Sequence, residues 1–207
     1  MGTGGKKADP RGGTDAVGIV AYGIFVAVGG FLVFCFAWML KPAAAAQAEA
    51  ACRPMMPEMR SGAAPDLALE RLDGRAVKLS DYRGTFVVLN FWATWCEPCS
   101  REWPDLDKLA ARLGERDDVA ILAVSIDEDR AAIAPYIERL RLEATGVEVL
   151  WDPSAEAHKT YGSEKIPDTY FVDGRGDLRA AFVNTRAWGR SEGFRCVDAM
   201  ARESAGN

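Results

Sequence analysis

Residues 85–99 decide the fold, and they read TFVVLNFWATWCEPC. The first part, Thr85–Phe91, is almost entirely apolar, which is typical of a strand buried on both faces of a sheet. Cys96 and Cys99 follow with two residues between them, and Glu102–Leu113 then shows apolar residues at helical spacing. The stretch therefore predicts a buried strand that leads directly into a cysteine pair at the N-terminus of a helix.

The position of the cysteine pair at a helix N-terminus favours thiolate chemistry. Free N–H groups and the positive end of the helix dipole stabilise a thiolate at a helix N-terminus. The spacing predicts Cys96 as the attacking thiol and Cys99 as the resolving thiol. A structural disulfide and half of a zinc site are the alternatives, but zinc needs two further ligands at matching spacing. The one histidine, His158, receives no role, and we expect no metal and no other cofactor.

The rest of the chain predicts an α/β fold. Its strands alternate with helices, and a hairpin and a last helix close the chain. We therefore expect a central mixed sheet flanked by helices, with an N-terminal β-hairpin. The predicted strands are 67–71, 76–79, 85–91, 119–126, 147–151, 169–172 and 178–183, and the helices after the cysteine motif are 131–142, 154–161 with Ser154 as its cap, and 191–202.

An apolar stretch precedes this domain. From Ala16 to Leu40 the chain has 25 residues without a charge, long enough to cross a bilayer as one helix. A cleaved secretory signal is the alternative, and Ala43–Ala46 offers small residues to a signal peptidase. We favour an uncleaved anchor, because the apolar region of a signal is only about 7–15 residues long.

Charge indicates the topology and the class of partner. Lys6, Lys7 and Arg11 precede the apolar stretch, which predicts a cytoplasmic N-terminus at a bacterial inner membrane and an exported domain. Residues 61–207 carry 19 Lys or Arg and 26 Asp or Glu, a net charge of −7, so nucleic acid is not an expected partner. The predicted organisation is a cytoplasmic tail (1–15), a transmembrane anchor (16–40), a tether (41–63) and the redox domain (64–207).

Two further cysteines lie outside the motif and the apolar stretch. Cys52 belongs to the predicted tether and Cys196 to the last helix, whereas Cys35 in the apolar stretch is interpreted as a small hydrophobic residue. Unpaired thiols are liabilities in an oxidising compartment. We therefore predict a structural disulfide between Cys52 and Cys196, which requires their Cα atoms to lie within bridging distance.

Residues 90–99, NFWATWCEPC, with Glu102 behind them, resemble the thioredoxin-like thiol–disulfide oxidoreductases. The similar branch is membrane-anchored and includes the TlpA and ResA reductases and the cytochrome c maturation proteins. Residues 64–84 match the opening hairpin of that group, and 166–173, IPDTYFVD, match its later strand. The resemblance covers about residues 64–200, and it implies a thioredoxin-like fold in which Pro167 is cis and lies against the cysteines.

The resemblance also implies roles for neighbouring residues. Glu102 becomes a proton partner of the cysteine pair, because Asn90 stands where thioredoxin has a buried aspartate. Ile166 and Pro167 are expected to dock a client peptide, and Trp95 is interpreted as part of the docking surface, with a core aromatic as the alternative. Pro98 and Glu97 complete the motif loop. Glu97 is either a solvated surface group or a charge that disfavours the thiolate and so favours a reductant.

These interpretations predict a reductase of exported cysteine-containing proteins, such as apocytochrome c, supplied with electrons by a transmembrane donor of CcdA or DsbD type. A disulfide oxidase or isomerase on the same fold is the nearest alternative. A peroxidase would need Pro-x-x-x-Thr-x-x-Cys, whereas Thr94 lies two residues before Cys96 and no proline lies upstream in the strand. A copper-delivery protein would need Cys-x-x-x-Cys, one residue longer than the spacing found.

Overall fold

A computed structural model describes residues 1–2, 14–114, 116–141 and 146–205 of the chain. It divides into two compact units, Met1–Ala43 and Ala44–Asn207, and each is described by itself.

Helix α1 (Thr14–Cys52) begins in the first unit and ends in the second. Large apolar side chains in its first-unit part, among them Phe25, Phe31 and Phe34, are exposed. By length and composition, this is one helix that could cross a membrane, and it contains the predicted anchor, 16–40.

The second unit is built on an eight-stranded sheet in the order β1-β8-β7-β4-β5-β6-β2-β3. β4 pairs in parallel with β5, and β5 with β6, whereas the other neighbours are antiparallel. This confirms the predicted mixed sheet, including the N-terminal hairpin of β2 and β3. The strands are β1 (Glu58–Met59), β2 (Ala68–Arg71), β3 (Ala76–Lys78), β4 (Phe86–Trp92), β5 (Val119–Ser125), β6 (Val147–Trp151), β7 (Asp168–Val172) and β8 (Leu178–Val183).

Strand β4 lies in the interior of the sheet, between β7 and β5, and every one of its side chains is buried. Val88 is opposite Ile121 of β5 on one side and Phe171 of β7 on the other. The ring centroids of Phe86 and Phe171 lie 5.2 Å apart in an edge-to-face arrangement, so the strand is fixed by aromatic packing as well as by its ladders. The end of β4 therefore presents the cysteine motif from a rigid base.

In the part of the chain that the structure describes, four helices accompany the sheet: α2 (Glu97–Leu113), α3 (Ile133–Leu140), α4 (Ala157–Thr160) and α5 (Ser191–Ala205). The prediction of a helix over 154–161 with Ser154 as its cap is wrong in its bounds. Asp152 occupies the turn instead, and its Oδ2 accepts a hydrogen bond from the backbone N–H of Ala157 at 2.7 Å. Residue 142, in the predicted helix 131–142, lies outside the described residues, and α3 ends at Leu140.

Residues 44–59 differ from the predicted tether. Ala48, Cys52 and Met55 are buried, and their spacing of four and three residues places them on one helical face. Cys52 forms a disulfide with Cys196 of α5, with a Cα–Cα distance of 4.4 Å. β1 then pairs with β8, so this segment is part of the compact unit and not a free spacer.

Candidate functional site

The cysteine pair lies at the N-terminus of α2, where the sequence placed it. Cys96 is the N-cap of the helix, and the backbone N–H of Cys99 donates to Cys96 Sγ at 3.2 Å. The two cysteines are joined as a disulfide, with Cα atoms 5.3 Å apart, and both are buried. An N–H aimed at Cys96 Sγ would stabilise the thiolate that forms on reduction.

Asp127 holds the loop that carries the motif. Its carboxylate accepts from the backbone N–H of Thr94 at 3.0 Å and from the Thr94 hydroxyl at 2.7 Å. The Ser125 hydroxyl donates to the same carboxylate at 2.6 Å. Sequence reasoning missed Asp127, although its position directly after a buried parallel strand, beside the end of β4, was a usable signal.

The peptide bond between Ile166 and Pro167 is cis and lies against the motif. The carbonyl oxygen of Ile166 is 3.7 Å from Cys96 Sγ. Trp95 is 68% exposed, which excludes its interpretation as a core aromatic. Trp95, Pro98 and Ile166 line a cavity of about 510 Å³ that also contacts Cys96.

Glu97 lies on the solvent side of the motif. Its side chain is 85% exposed and forms an ion pair with Arg101 one helical turn later. Exposed pairs of this kind contribute about 0–1 kcal/mol, because water screens both charges. Glu97 therefore has the character of the solvated surface group, and its influence on the Cys96 thiolate is small.

Glu102 is the polar group buried beneath the motif. It is 4% exposed and follows Cys99 by three residues, on the same face of α2. Its Oε1 accepts from the Arg186 backbone N–H at 2.7 Å and from Trp188 Nε1 at 3.0 Å. Asn90 Nδ2 donates to its Oε2 at 3.2 Å. Three donors converge on this carboxyl, and two come from the loop between β8 and α5.

Burial is the largest influence on this carboxyl and raises the pKa of Glu102 to about 7. The backbone N–H of Arg186 and the side chains of Asn90 and Trp188 act in the opposite direction, because they stabilise the ionised form. A carboxyl that is partly ionised near neutral pH can take and return a proton. The cysteine pair therefore has a titratable neighbour at the pH where it would work.

His158, which received no predicted role, lines the same cavity. Its side chain is buried, and its Nδ1 has no hydrogen-bond partner among the described residues. Burial, with a contribution from Lys159, lowers the pKa of His158 and so favours the neutral imidazole. Within the described part of the chain, no three His, Cys, Asp or Glu side chains are grouped as metal ligands would be.

Comparison with known proteins locates this site in a family. The sequence pattern of the AhpC/TSA family matches residues 61–181, a range that contains Cys96, Glu102 and Pro167. The thiol-disulfide oxidoreductase ResA of Geobacillus thermodenitrificans is 35% identical over 122 residues, covering 59% of this chain and 68% of that protein. The ResA of Oceanobacillus iheyensis is 35% identical over 136 residues, covering 64% of this chain and 69% of that protein.

Solved structures agree on the architecture. The exposed lipoprotein thioredoxin of Streptococcus pneumoniae is 30% identical with a TM-score of 0.53, covering 68% of this chain and 98% of that chain. The thioredoxin domain of a thiol-disulfide oxidoreductase from Bacteroides vulgatus is 20% identical with a TM-score of 0.59, covering 70% of this chain and 99% of that chain. The second likeness supports the fold alone.

Proposed function

Because this chain belongs to the AhpC/TSA family and is a thioredoxin-like thiol–disulfide oxidoreductase, we propose that it works as a reductase of disulfides in exported proteins. The observation that carries this proposal is the buried carboxyl of Glu102 one helical turn from Cys99. A carboxylate there makes a thiolate in the pair more costly, which favours the disulfide form and therefore a reducing potential.

The reaction begins with the pair reduced. The Cys96 thiolate attacks one sulfur of a client disulfide, the client S–S bond breaks, and the client's other sulfur leaves as a thiolate that takes a proton. The Cys99 thiol loses its proton and attacks Cys96 Sγ, which releases the second client thiolate. The client gains two electrons, and its two thiolates take up two protons, one lost by Cys99 and one that Cys96 gave up when it ionised. The pair is left as the Cys96–Cys99 disulfide seen in the structure.

Glu102 is proposed to accept the Cys99 proton in the second step. Asn90 contacts Glu102 but cannot titrate, so Glu102 is the member of this contact that can take the proton. A pKa near 7 makes the carboxylate a base strong enough to accept a proton and the protonated carboxyl an acid strong enough to release it again.

The client peptide is proposed to lie in the cavity beside Cys96. Trp95 offers a large exposed apolar face, and Pro98 and Ile166 add apolar surface to the same cavity. The carbonyl oxygen of Ile166, which lies 3.7 Å from Cys96 Sγ, can accept a backbone N–H from an extended client. Glu97, at the mouth of the cavity, contributes charge to its rim.

The setting of this reaction is also a proposal. The N-terminal apolar helix is suited to anchoring, so residues 1–15 would be cytoplasmic, 16–40 would span the bacterial inner membrane, and the redox domain would lie in the periplasm. Clients would be exported cysteine-containing proteins such as oxidised apocytochrome c. Electrons would come from a transmembrane thiol donor of the CcdA or DsbD type.

An oxidase or isomerase on the same fold is the competing function. A peroxidase is not favoured by the site, because the Thr94 hydroxyl donates to Asp127 and is thus committed to the loop. The direction of electron flow separates the remaining two possibilities.

The test is the midpoint potential of the pair. The full chain in a non-ionic detergent is equilibrated in graded dithiol buffers, and the reduced fraction of Cys96 and Cys99 is read by alkylation and mass. A value near that of thioredoxin, about −270 mV, supports a reductase, whereas a value near about −120 mV overturns it in favour of an oxidant. Peptide mass mapping assigns the alkylated positions, and Cys35→Ala is the matched control, because Cys35 lies outside both disulfides.

A further inference from the structure

The loop between β8 and α5 surrounds Glu102 with donors. The backbone N–H of Arg186 and Nε1 of Trp188, both in this loop, donate to Glu102. The loop is also attached to β7, because the backbone N–H of Asn184 donates to Asp168 at 2.8 Å. Trp188 is fully buried. The location of the whole loop therefore decides how well Glu102 is hydrogen-bonded.

The side chain of Arg186 fastens this loop. Its Nη1 donates to the carbonyl oxygens of Val183 and Thr185 at 2.7 and 2.9 Å. Its Nε donates to the carbonyl oxygen of Met55 at 2.8 Å, 131 residues away in sequence. One guanidinium thus ties the turn to itself and to the segment that precedes the sheet.

Met55 is itself held in place. Its side chain is buried, and it lies three residues after Cys52, whose disulfide with Cys196 attaches the segment to α5. The carbonyl that receives Arg186 Nε is therefore fixed covalently to the core of the unit.

We propose that Arg186 is a positioning residue for Glu102, and that it works by joining the donor loop to the segment fixed by the Cys52–Cys196 disulfide. The inference rests on the proposed role of Glu102 as proton partner of the cysteine pair. Removing the side chain of Arg186 weakens the donors that favour the carboxylate, so Glu102 holds its proton to a higher pH.

The charged and titratable groups around Glu102 are few. Cys99 of α2 titrates when the pair is reduced, whereas Asn90 of β4 does not titrate. From β7, Asp168 is buried and accepts from Ser163 Oγ at 2.7 Å. Arg186 supplies positive charge that lowers the pKa of both Glu102 and Asp168, against the larger effect of burial, which raises both.

The experiment uses the full chain in detergent and follows the Cys96–Cys99 midpoint potential from pH 5 to 9. A carboxyl whose proton affinity differs between the oxidised and reduced pair bends this plot at its own pKa. For Arg186→Gln we expect the bend to move up by about one pH unit, a tenfold change in proton affinity. Arg190→Gln is the matched control, because it removes an exposed cation from the same loop.

Glu102→Gln separates the two proposals. It should abolish the bend, and Arg186→Gln added to it should then have no further effect. If Glu102→Gln abolishes the bend and Arg186→Gln leaves it at the wild-type pH, the positioning role is refuted while the role of Glu102 stands. If Glu102→Gln keeps the wild-type bend, the proton-partner role is refuted and the inference with it.

A second variant covers the case in which Arg186→Gln does not fold. Cys52→Ala with Cys196→Ala frees the segment around Met55 and leaves Arg186 in place. The bend should again move to higher pH, and a bend unchanged from wild type in this variant would overturn the inference.

Discussion

Replacing Glu102 by Gln tests the electrostatics of the site through stability. Burial raises the pKa of this carboxyl from 4.5 to about 7. Because the pKa of Glu102 is raised in the folded state, the group contributes stability below about pH 4.5, where it is protonated in both the folded and the unfolded chain. This contribution is lost as the pH rises through about 7. The difference of about 2.5 units corresponds to about 3 kcal/mol.

The oxidised wild-type chain should therefore lose about 3 kcal/mol more than the Glu102→Gln chain between pH 4 and 8. For a domain of this size that difference is about 6–12 °C in Tm. The variant should fold, because the Gln oxygen can accept from Arg186 and Trp188, and the Asn90 amide can rotate to accept from the new N–H group. Thermal unfolding in detergent, followed by tryptophan fluorescence at several pH values, measures the difference.

Glu97→Gln is the matched control, because it removes an exposed carboxylate from the same helix. Its curve of Tm against pH should run parallel to that of the wild type. If the Glu102→Gln curve is also parallel, Glu102 does not titrate in this range on folding, and the reasoning from burial is refuted.

Three further predictions concern the pair and its supports. Cys99→Ser should accumulate a mixed disulfide with a client, visible on a non-reducing gel, because the resolving thiol is missing; failure to trap any client would contradict the assigned order of attack. Cys52→Ala with Cys196→Ala should lower the free energy of unfolding by about 5 kcal/mol, from the entropy of the large loop that the disulfide closes. An unchanged denaturant midpoint would show that the bond adds no net stability. Gly193→Ala should lower the free energy of unfolding by about 1–3 kcal/mol in the same assay, because a Cβ there would lie 2.4 Å from the carbonyl oxygen of Trp188. A variant as stable as the wild type would mean that the loop before α5 moves to accommodate the methyl group without cost.

The parts of the fold that follow from local sequence were predictable. The apolar run 85–91 and the cysteine pair behind it are close in sequence, so their order alone places a thiol at the end of a strand and the start of a helix. The two hairpins were likewise indicated by Asp-Gly turns at 73–74 and 173–174. In each case the determining residues lie within a few positions of one another.

The environment of Glu102 was not predictable in the same way. Arg186 and Trp188 are more than 80 residues away in sequence, and their contribution depends on how the loop before α5 packs. The sequence indicated that the carboxyl of Glu102 lies on the same face of α2 as Cys99, but not that three hydrogen-bond donors meet there. Long-range hydrogen bonds of this kind leave no periodic signal.

The predicted tether shows how composition can mislead. Pro54, Pro57 and a run of alanines indicate an open spacer, because they supply little apolar surface. Burial of Ala48, Cys52 and Met55 along one face nevertheless attaches the segment to the core. The cysteine at the middle of this face was the informative residue, since a disulfide supplies the stability that small side chains cannot.

The amide side chain of Asn90 connects these features. Asn90 bridges Glu102 and Thr169, donating to the hydroxyl of Thr169 at 3.0 Å, and neither Asn90 nor Thr169 changes charge with pH. Of the three side chains Asn90, Thr169 and Glu102, the carboxyl of Glu102 is the one that responds to protons. That carboxyl takes two of its three donors from a loop fastened to Met55. Under the proposed roles of Glu102 and Arg186, the N-terminal segment of the compact unit therefore contributes to the redox chemistry of the cysteine pair.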